Sequence, residues 1–173
     1  MNGHRVQDWS VIEWQYINTD VQNIRHRIYV ASKLGNLREV ANLQKLMMRS
    51  RANWLQSIRR VTQINRGRKT PGIDGRVVTS SEERIRLFDE LADLTINQWN
   101  PPPTKRIVIP KANGQFRPLG IPTVKDRVIQ AIVKNALEPF WEARFEATSY
   151  GFRPGRSPPD AIGDIWRTLN SRK

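Results

Sequence analysis

The stretch that most constrains the fold is Lys105–Thr123, KRIVIPKANGQFRPLGIPT. Ile107 and Ile109 recur with the period of two that is typical of a strand with one apolar face. The dipeptide Asn113-Gly114 predicts a hairpin with a type I′ turn, because that turn requires positive φ at both central residues. The residues from Gln115 to Leu119 then predict the returning strand, in which Pro118 belongs at an edge or a strand end.

Two cations, Lys111 and Arg117, flank the tip of this predicted hairpin. A hairpin would bring them close together, so that an ammonium and a forked guanidinium face the same polyanion. The alternative is an ordinary hairpin with a solvated basic edge, since short motifs often occur without a ligand. These residues alone leave both interpretations open.

The formal net charge of +13 and the pI near 11.0 concern the partner of the chain rather than its fold. They indicate a polyphosphate, meaning nucleic acid. An anionic membrane surface is the other candidate, but no Lys-rich amphipathic helix accompanies the charge. Nine cations and one acid, Glu39, lie within Arg38–Lys69, so we expect a basic binding face there. The acidic segment Glu82–Asp93 should face away from the polyanion.

Size and composition exclude several classes of protein. The 173 residues suffice for one domain or two small lobes, and the 38% of hydrophobic residues support a core. No apolar run approaches the ~18 residues that a membrane span needs, and the N-terminus lacks the apolar core of a secretory signal. Without cysteine and with only two histidines, disulfides and thiolate or histidine metal sites are not expected. We therefore expect a soluble, intracellular protein.

Apolar periodicity predicts a mostly helical α+β protein that carries one β-hairpin. The first helical region is Trp9–Lys33, where Thr19 and Asp20 could cap a helix that begins there after a separate turn at Trp9–Ile17. A second helix should form an antiparallel hairpin with the first. The predicted later helices are Leu37–Ile64, Ser81–Gln98, Val124–Ala147 with a kink at Pro139, and one that Ser157 caps.

Two loops rich in glycine and proline separate these helices. Asn65–Ser81 begins with Arg66, Arg68 and Lys69 and contains the turn dipeptides Pro71-Gly72 and Asp74-Gly75. Thr148–Arg156 carries two aromatic and two arginine side chains. Shaped basic loops often bind ligands, although the first of these loops could equally be a solvated connector.

Three segments together resemble one family. They are TPGIDG at Thr70–Gly75, IPKANGQFRPLGIPTVKDRVIQ at Ile109–Gln130 and SYGFRPGRSPPDAI at Ser149–Ile162. The sequence is similar to the N-terminal part of group II intron-encoded reverse transcriptases, or maturases. The resemblance implies an N-terminal helical RNA-binding extension over residues 1–80. It also implies the fingers and the start of the palm of a right-hand polymerase over residues 81–173, ending before the catalytic palm motifs.

The resemblance also implies roles for residues. In the intact enzyme, the residues that bind the incoming nucleotide would be Lys111, Arg117, Phe152 and Arg153. The residues that bind intron or template RNA would be Arg59, Arg60, Arg66, Arg68, Lys69, Thr70, Gly72, Lys105, Arg106 and Arg156. The implied activities are RNA-directed DNA synthesis and assistance to intron splicing. The implied partners are intron RNA, template RNA, target DNA and the remaining palm and thumb polypeptide, with no membrane. The implied compartment is the cytoplasm of a bacterium or an organelle of a eukaryote.

The catalytic carboxylates of this family are expected outside this sequence. Polymerases use two metal ions held by carboxylates, Mg²⁺ in this family, and the resemblance assigns those carboxylates to later palm motifs. No Asp-Asp pair occurs, and the matching motif assigns Asp160 and Asp164 to a helix. We therefore expect no catalytic residue and no metal ligand in the chain, which alone should be inactive. The rival hypotheses are a splicing factor that binds RNA without polymerising, and a basic RNA-binding module of ribosomal type.

Overall fold

The computed structural model describes residues 8–92, 94 and 98–170. Six α-helices and one two-stranded antiparallel sheet make up its regular structure, which confirms the mostly helical α+β class. In chain order the elements are α1 (Trp14–Lys33), α2 (Leu37–Arg49), α3 (Arg51–Arg59), α4 (Ser81–Ala92), β1 (Lys105–Pro110), β2 (Phe116–Ile121), α5 (Val124–Glu142) and α6 (Pro158–Asn170).

The first helix, α1, is continuous, so the predicted cap at Thr19 and Asp20 is wrong. The Thr19 hydroxyl instead donates to the carbonyl of Gln15 at 2.9 Å, a bond that a threonine inside a helix can make. The link to α2 is short, as expected: Gly35 has φ +71, and the Asn36 side chain accepts from the Glu39 amide at 3.1 Å. The two helices pack against each other over this link.

The second predicted helix, Leu37–Ile64, is divided at Ser50. This residue is extended, with ψ 122°, and its hydroxyl accepts from the Asn53 amide at 3.3 Å, which starts α3. Because serine competes for backbone hydrogen bonds, it favours a helix end over a helix interior. After α3 the chain continues through a π-helical turn, Arg60–Ile64, and a 3-10 turn, Arg66–Lys69.

The core consists of two clusters of buried apolar residues. The first joins α3, α4 and α5, through Ile58, Leu87 and Val128 among others. The second joins α1, α2 and α5, through Ile28, Met47 and Ala136 among others. Residues from both sides of residue 80 share the first cluster, and the division of the chain at that point stays a prediction.

The hairpin forms where the sequence predicted it, but its turn differs from the prediction. Ile109 pairs with Arg117, and Pro110 with Phe116. Gly114 has φ +78, whereas Asn113 does not, so a type I′ turn is excluded. The Gly114 amide donates to the Lys111 carbonyl at 3.0 Å, and the Lys111 amide donates to the main-chain carbonyl of Gln115 at 2.7 Å. This is the arrangement of the slightly longer hairpin loop that ends in a left-handed glycine.

The later helices also differ from the prediction at their ends. Thr123 caps α5 as expected, since its hydroxyl accepts from the Asp126 amide at 3.2 Å. That helix contains Pro139 and ends at Glu142 rather than at Ala147. The helix predicted to reach Gln98 is α4, which ends at Ala92, while residues 93 and 95–97 lie outside the described residues.

Candidate nucleic-acid interface

Positive charge is concentrated in the basic turn, which we define as residues 59–69. Arg60, Arg66, Arg68 and Lys69 are all exposed there. Within the described part of the chain their side chains make no hydrogen bond or ion pair. Arg59 is half-buried, with its guanidinium 4.4 Å from the centre of the Trp14 ring. These charges are therefore available to an external polyanion.

One arginine of α5 gives the basic turn its shape. Arg127 donates from Nη1 to the Gly67 carbonyl at 2.9 Å and from Nη2 to the Thr70 carbonyl at 2.6 Å. Burial lowers the pKa of Arg127 from its ordinary value, partly opposed by Asp74. No local pattern in the sequence assigned this role to Arg127, because its two acceptors are main-chain atoms far away in the sequence.

The TPGIDG loop after the basic turn is held by close packing. A Cβ atom at Gly72 would lie 2.7 Å from the Thr123 Cα and 2.9 Å from its nitrogen. Only glycine fits such an approach without a shift of backbone. Gly72, predicted to bind RNA, is buried here, whereas the predicted contact residue Thr70 is exposed and supplies a carbonyl to Arg127.

A polar contact on the opposite side of the turn fixes the π-helical segment to α4. Arg84 is buried, and burial lowers its pKa, opposed by Glu83 and Glu82. Its Nε donates to the Thr62 hydroxyl at 3.1 Å and its Nη2 to the Thr79 carbonyl at 2.7 Å. The basic turn is therefore attached to the core at both of its flanks.

The α2 helix carries a second group of cations. Arg38, Lys45 and Arg49 are spaced by seven and four residues, which places them on one helix face. The buried residues Val40 and Met47 lie on the opposite face. The charges are therefore solvent-facing, and the binding face expected for this segment stays a prediction.

The hairpin holds four of the predicted binding residues in exposed positions. Arg117 lies directly opposite Ile109, and Lys111 follows two residues after Ile109, so the two cations lie diagonally on the same face. Lys105 shares that face at the other end of the ladder. Arg106 lies on the reverse face, since successive strand residues alternate. The expected proximity of Lys111 and Arg117 fits this register.

The loop after α5 holds the last three predicted residues in different ways. Arg153 donates to both Glu142 carboxylate oxygens, with Nη2 2.7 Å from Oε2, and to the carbonyls of Glu146 and Ser149. Its pKa is raised, first by the hydrogen bond with Glu142. Arg156 donates to the carbonyls of Ala147 and Ser149. These two arginines shape the loop, whereas the Phe152 side chain is fully exposed.

The described residues do not form a metal centre. No group of three or more His, Asp and Glu side chains comes together among them. The acids near loops are engaged elsewhere: Asp160 accepts from the Ser157 amide and hydroxyl, and Asp126 accepts from Trp99 and Thr123. The expectation that this chain supplies no metal ligand stays a prediction. Within the described part of the chain, no helix is both long and apolar enough to cross a membrane.

The fold defines a mostly helical α+β protein with one β-hairpin, and its site is an exposed basic turn attached to the core. Two family models match the chain. Residues 9–91 match the N-terminal domain of reverse transcriptase, and residues 109–172 match reverse transcriptase (RNA-dependent DNA polymerase). The chain belongs to the reverse transcriptases of group II introns and corresponds to their N-terminal region.

Three curated relatives have similar sequences. Protein YkfC of Escherichia coli is 39% identical over 71% of this chain and 33% of its own length. Maturase-like protein 1 of Euglena gracilis is 32% identical over 75% of this chain and 28% of its own length. Group II intron-encoded protein LtrA of Lactococcus lactis is 42% identical over 63% of this chain and 18% of its own length. The chain thus spans about a third or less of the length of these relatives.

Proposed function

We propose that this chain is the N-terminal and fingers part of a group II intron reverse transcriptase/maturase, which binds intron or template RNA. In the intact enzyme it would also bind the incoming nucleotide during RNA-directed DNA synthesis and would assist splicing. Target DNA and the remaining palm and thumb polypeptide would be its other partners. It would act in the bacterial cytoplasm or in an organelle.

The observation that carries RNA binding is the basic turn. Four exposed cations, which have no hydrogen-bond or ion-pair partner among the described residues, are held on a segment whose backbone Arg127 fixes. Pre-organised cations lose little conformational entropy when they contact phosphates, so their charge is used efficiently. The name of LtrA, a group II intron-encoded protein, and those of the maturase-like relatives support intron RNA as the ligand.

The hairpin supports the proposed contact with the nucleotide. Lys111 and Arg117 lie on one face near the exposed tip of the hairpin, as a pair that grips a triphosphate should. Mg²⁺ would take part in the chemistry of the intact enzyme, with ligands from outside this chain.

The test is binding of a structured group II intron RNA, measured across a series of salt concentrations. We expect a steep dependence, with each phosphate contact contributing about −0.7 to −0.9 to the slope of log K against log salt. Replacing Arg59, Arg60, Arg66 and Arg68 by glutamine should lower both the affinity and the slope.

The matched control removes the same number of charges from exposed positions outside the basic turn: Arg27, Lys33, Arg86 and Arg167. This variant should retain most of the slope. Equal losses in the two variants would show that only net charge matters, and a flat salt dependence of the unmodified chain would refute the proposal.

A measurement of nucleotide binding distinguishes the proposed function from the rival hypothesis of a splicing factor that never polymerises. It has no use for Lys111 and Arg117 as a triphosphate clamp. A general RNA-binding module of ribosomal type would bind bulk RNA as tightly as intron RNA, so competition with bulk RNA separates that second rival.

A further inference from the structure

A groove of about 850 Å³ lies between α1, the end of α3, α5 and the loop after α5. This volume is within the range of about 300–1,000 Å³ that small-molecule and cofactor sites occupy. Five cations and one carboxylate line it: Arg25, Arg59, Arg60, Lys134, Arg153 and Glu138. A groove with this excess of positive charge is suited to an anionic ligand.

Three of these five cations form ion pairs within the protein, and two do not. Arg25 donates to Glu138 at 2.6 Å, and Lys134 lies 3.1 Å from the same carboxylate. Arg153 is bound to Glu142. Arg59 and Arg60, which are adjacent at the end of α3, have no carboxylate partner within the described part of the chain. These two guanidinium groups are therefore the ones available to a phosphate in the groove.

The rim of the groove carries an exposed aromatic ring. Phe152 has a relative exposure of 111%, the highest among the exposed large hydrophobic residues of the described chain. It is also the one described residue other than glycine with positive φ, at +58°. A bulky residue in that region is strained, and such strain persists where the surroundings fix the backbone. Arg153 and Arg156 provide that fixation through the carbonyls of the same loop.

Amide side chains also line the groove. Asn18, Gln22 and Gln56 line the groove from α1 and α3. Amides can donate to and accept from the edge of a base. The groove thus combines the three elements that recognise one unpaired nucleotide: guanidinium groups for phosphate, amides for the base edge and a ring for stacking.

We propose that this groove binds a single unpaired nucleotide of the RNA, with its base stacked on Phe152 and its phosphate on Arg59 and Arg60. The inference rests on the proposed RNA-binding function and specifies one subsite of it. Because the face of a paired base is covered by its neighbours, the groove should select single-stranded or looped RNA over duplex.

The test uses the whole chain and a short oligouridylate that carries one 2-aminopurine, whose fluorescence falls when the base stacks. The unmodified chain should bind it and quench the emission. Phe152→Ala should weaken binding by roughly 5- to 100-fold and abolish quenching, which is the usual cost of losing one base–aromatic stack. Phe152→Trp should retain both properties.

A second variant separates the ring from the backbone. Phe152→Gly removes the ring and suits the positive φ, so it should fold at least as well as the unmodified chain and still fail to quench. Tyr16→Ala is the matched control, because Tyr16 is an exposed aromatic residue of α1 outside the groove. Arg60→Gln should reduce the salt slope by about 0.7, which the Phe152 variants should leave unchanged.

The outcomes distinguish this inference from the function on which it rests. If structured RNA is bound while Phe152→Ala binds and quenches like the unmodified chain, the stacking site is wrong and the proposed function stands. Equal binding of a duplex of the same length would likewise refute the groove's selectivity. If the chain binds no RNA at all, both proposals fail.

Discussion

The guanidinium of Arg127 on α5 donates to the main-chain carbonyl of Thr70, 57 residues earlier in the sequence, at 2.6 Å. Its other nitrogen reaches Gly67 at 2.9 Å. Because both acceptors are backbone atoms, this contact fixes the course of the basic turn whatever side chains it carries. The charge of Arg127 is thus used to position Arg66, Arg68 and Lys69 rather than to bind RNA itself.

The first prediction concerns this anchor. Arg127→Gln should weaken RNA binding by about three- to tenfold, since a hydrogen bond to a charged donor contributes about 1.5–3 kcal/mol and part of that loss falls on the order of the turn. Arg127→Lys should be only slightly better, because an ammonium lacks the fork that reaches two carbonyls. Affinity is measured by fluorescence anisotropy with labelled intron RNA.

Lys125→Gln is the control for the anchor, because Lys125 lies on the same helix and contacts Glu90 and Trp99 instead of the turn. The control removes one charge and should have a smaller effect. Equal affinities for the unmodified chain and Arg127→Gln would mean that the turn keeps its shape without the anchor.

The limits of the sequence-based prediction follow from the range of the interactions. The hairpin, the Thr123 cap and the short link before α2 depend on residues within a few positions, and these expectations are confirmed. The prediction of a type I′ turn is wrong because Asn113-Gly114 is compatible with more than one loop length. The register of the strands decides which loop length forms. The break at Ser50 was missed because the apolar stripe continues across it.

The candidate site was harder to predict than the fold. The groove joins Arg25 to Asn135 and Glu138 across more than a hundred residues, and no local pattern contains that pairing. Exposure of the basic turn was expected from its charge, but its anchoring by Arg127 was not. The resemblance to maturases assigned binding roles to Gly72 and Arg153, and these roles stay predictions beside the packing roles that their contacts indicate.

The second prediction concerns a buried amide. The Asn53 side chain donates to the carbonyls of Met47 and Ile132 at 2.9 and 3.2 Å and accepts from Asn135 at 2.7 Å. Asn53→Ala should lower the free energy of unfolding by about 2–3 kcal/mol, because it leaves buried polar groups without partners. Urea denaturation measures the change. Asn23→Ala, at an exposed position of α1, should stay within about 0.5 kcal/mol of the unmodified chain.

The third prediction concerns pH. Arg76 donates two hydrogen bonds of 2.9 Å to Glu90. These hydrogen bonds are the main cause of the lowered pKa of Glu90, and burial opposes them. A glutamate in an unfolded chain has a pKa of about 4.3. The stabilisation from the Arg76–Glu90 pair is therefore present above that pH, and it is lost as the pH falls through the lower pKa of Glu90 in the folded state.

Glu90→Gln should therefore make the decline of stability below about pH 5 shallower. Because both side chains are more than a third exposed, the contribution should be only about 0.2–1 kcal/mol. Asp89→Asn, an exposed neighbour on the same helix, is the control. Unfolding curves at several pH values give the comparison, and parallel pH profiles for Glu90→Gln and the unmodified chain would exclude this pair as a source of acid sensitivity.

The fourth prediction concerns the hairpin in the complete polymerase. Arg117→Ala should raise the nucleotide KM or lower kcat more than it weakens template binding, because it removes a charge-assisted contact with phosphate. Arg117→Lys should rescue only partly. Arg106→Ala serves for comparison: this cation lies on the reverse face, so its loss should weaken RNA binding without a matching rise in the nucleotide KM. If Arg117→Ala leaves the nucleotide KM and kcat unchanged, Arg117 does not bind the triphosphate, and the hairpin is simply one with a solvated basic edge.

The last prediction is that the chain by itself makes no DNA and requires a partner polypeptide. The helix α6 carries Ile162, Ile165, Trp166 and Leu169 at the spacing of a single helix face. These side chains are 60–68% exposed, and none of the described residues of α6 is buried. An apolar face of this kind tends to associate, so the isolated chain should form oligomers at high concentration. Ile165→Gln with Trp166→Gln should reduce that association, as sedimentation velocity would measure.

Primer extension tests both the predicted inactivity and the role of the α6 face. Two-metal phosphoryl transfer needs converging carboxylates, and no group of three acids or histidines comes together among the described residues. Asp160, Glu138 and Glu142 are instead engaged in a helix cap and in ion pairs. Primer extension on an RNA template with magnesium should therefore give no product with this chain alone. Product should appear when a separately expressed polypeptide that continues the family's palm and thumb is added. The α6 double variant should then bind that polypeptide less tightly and need a higher concentration of it for the same rate. DNA synthesis by the chain alone would show that its own acids suffice for catalysis.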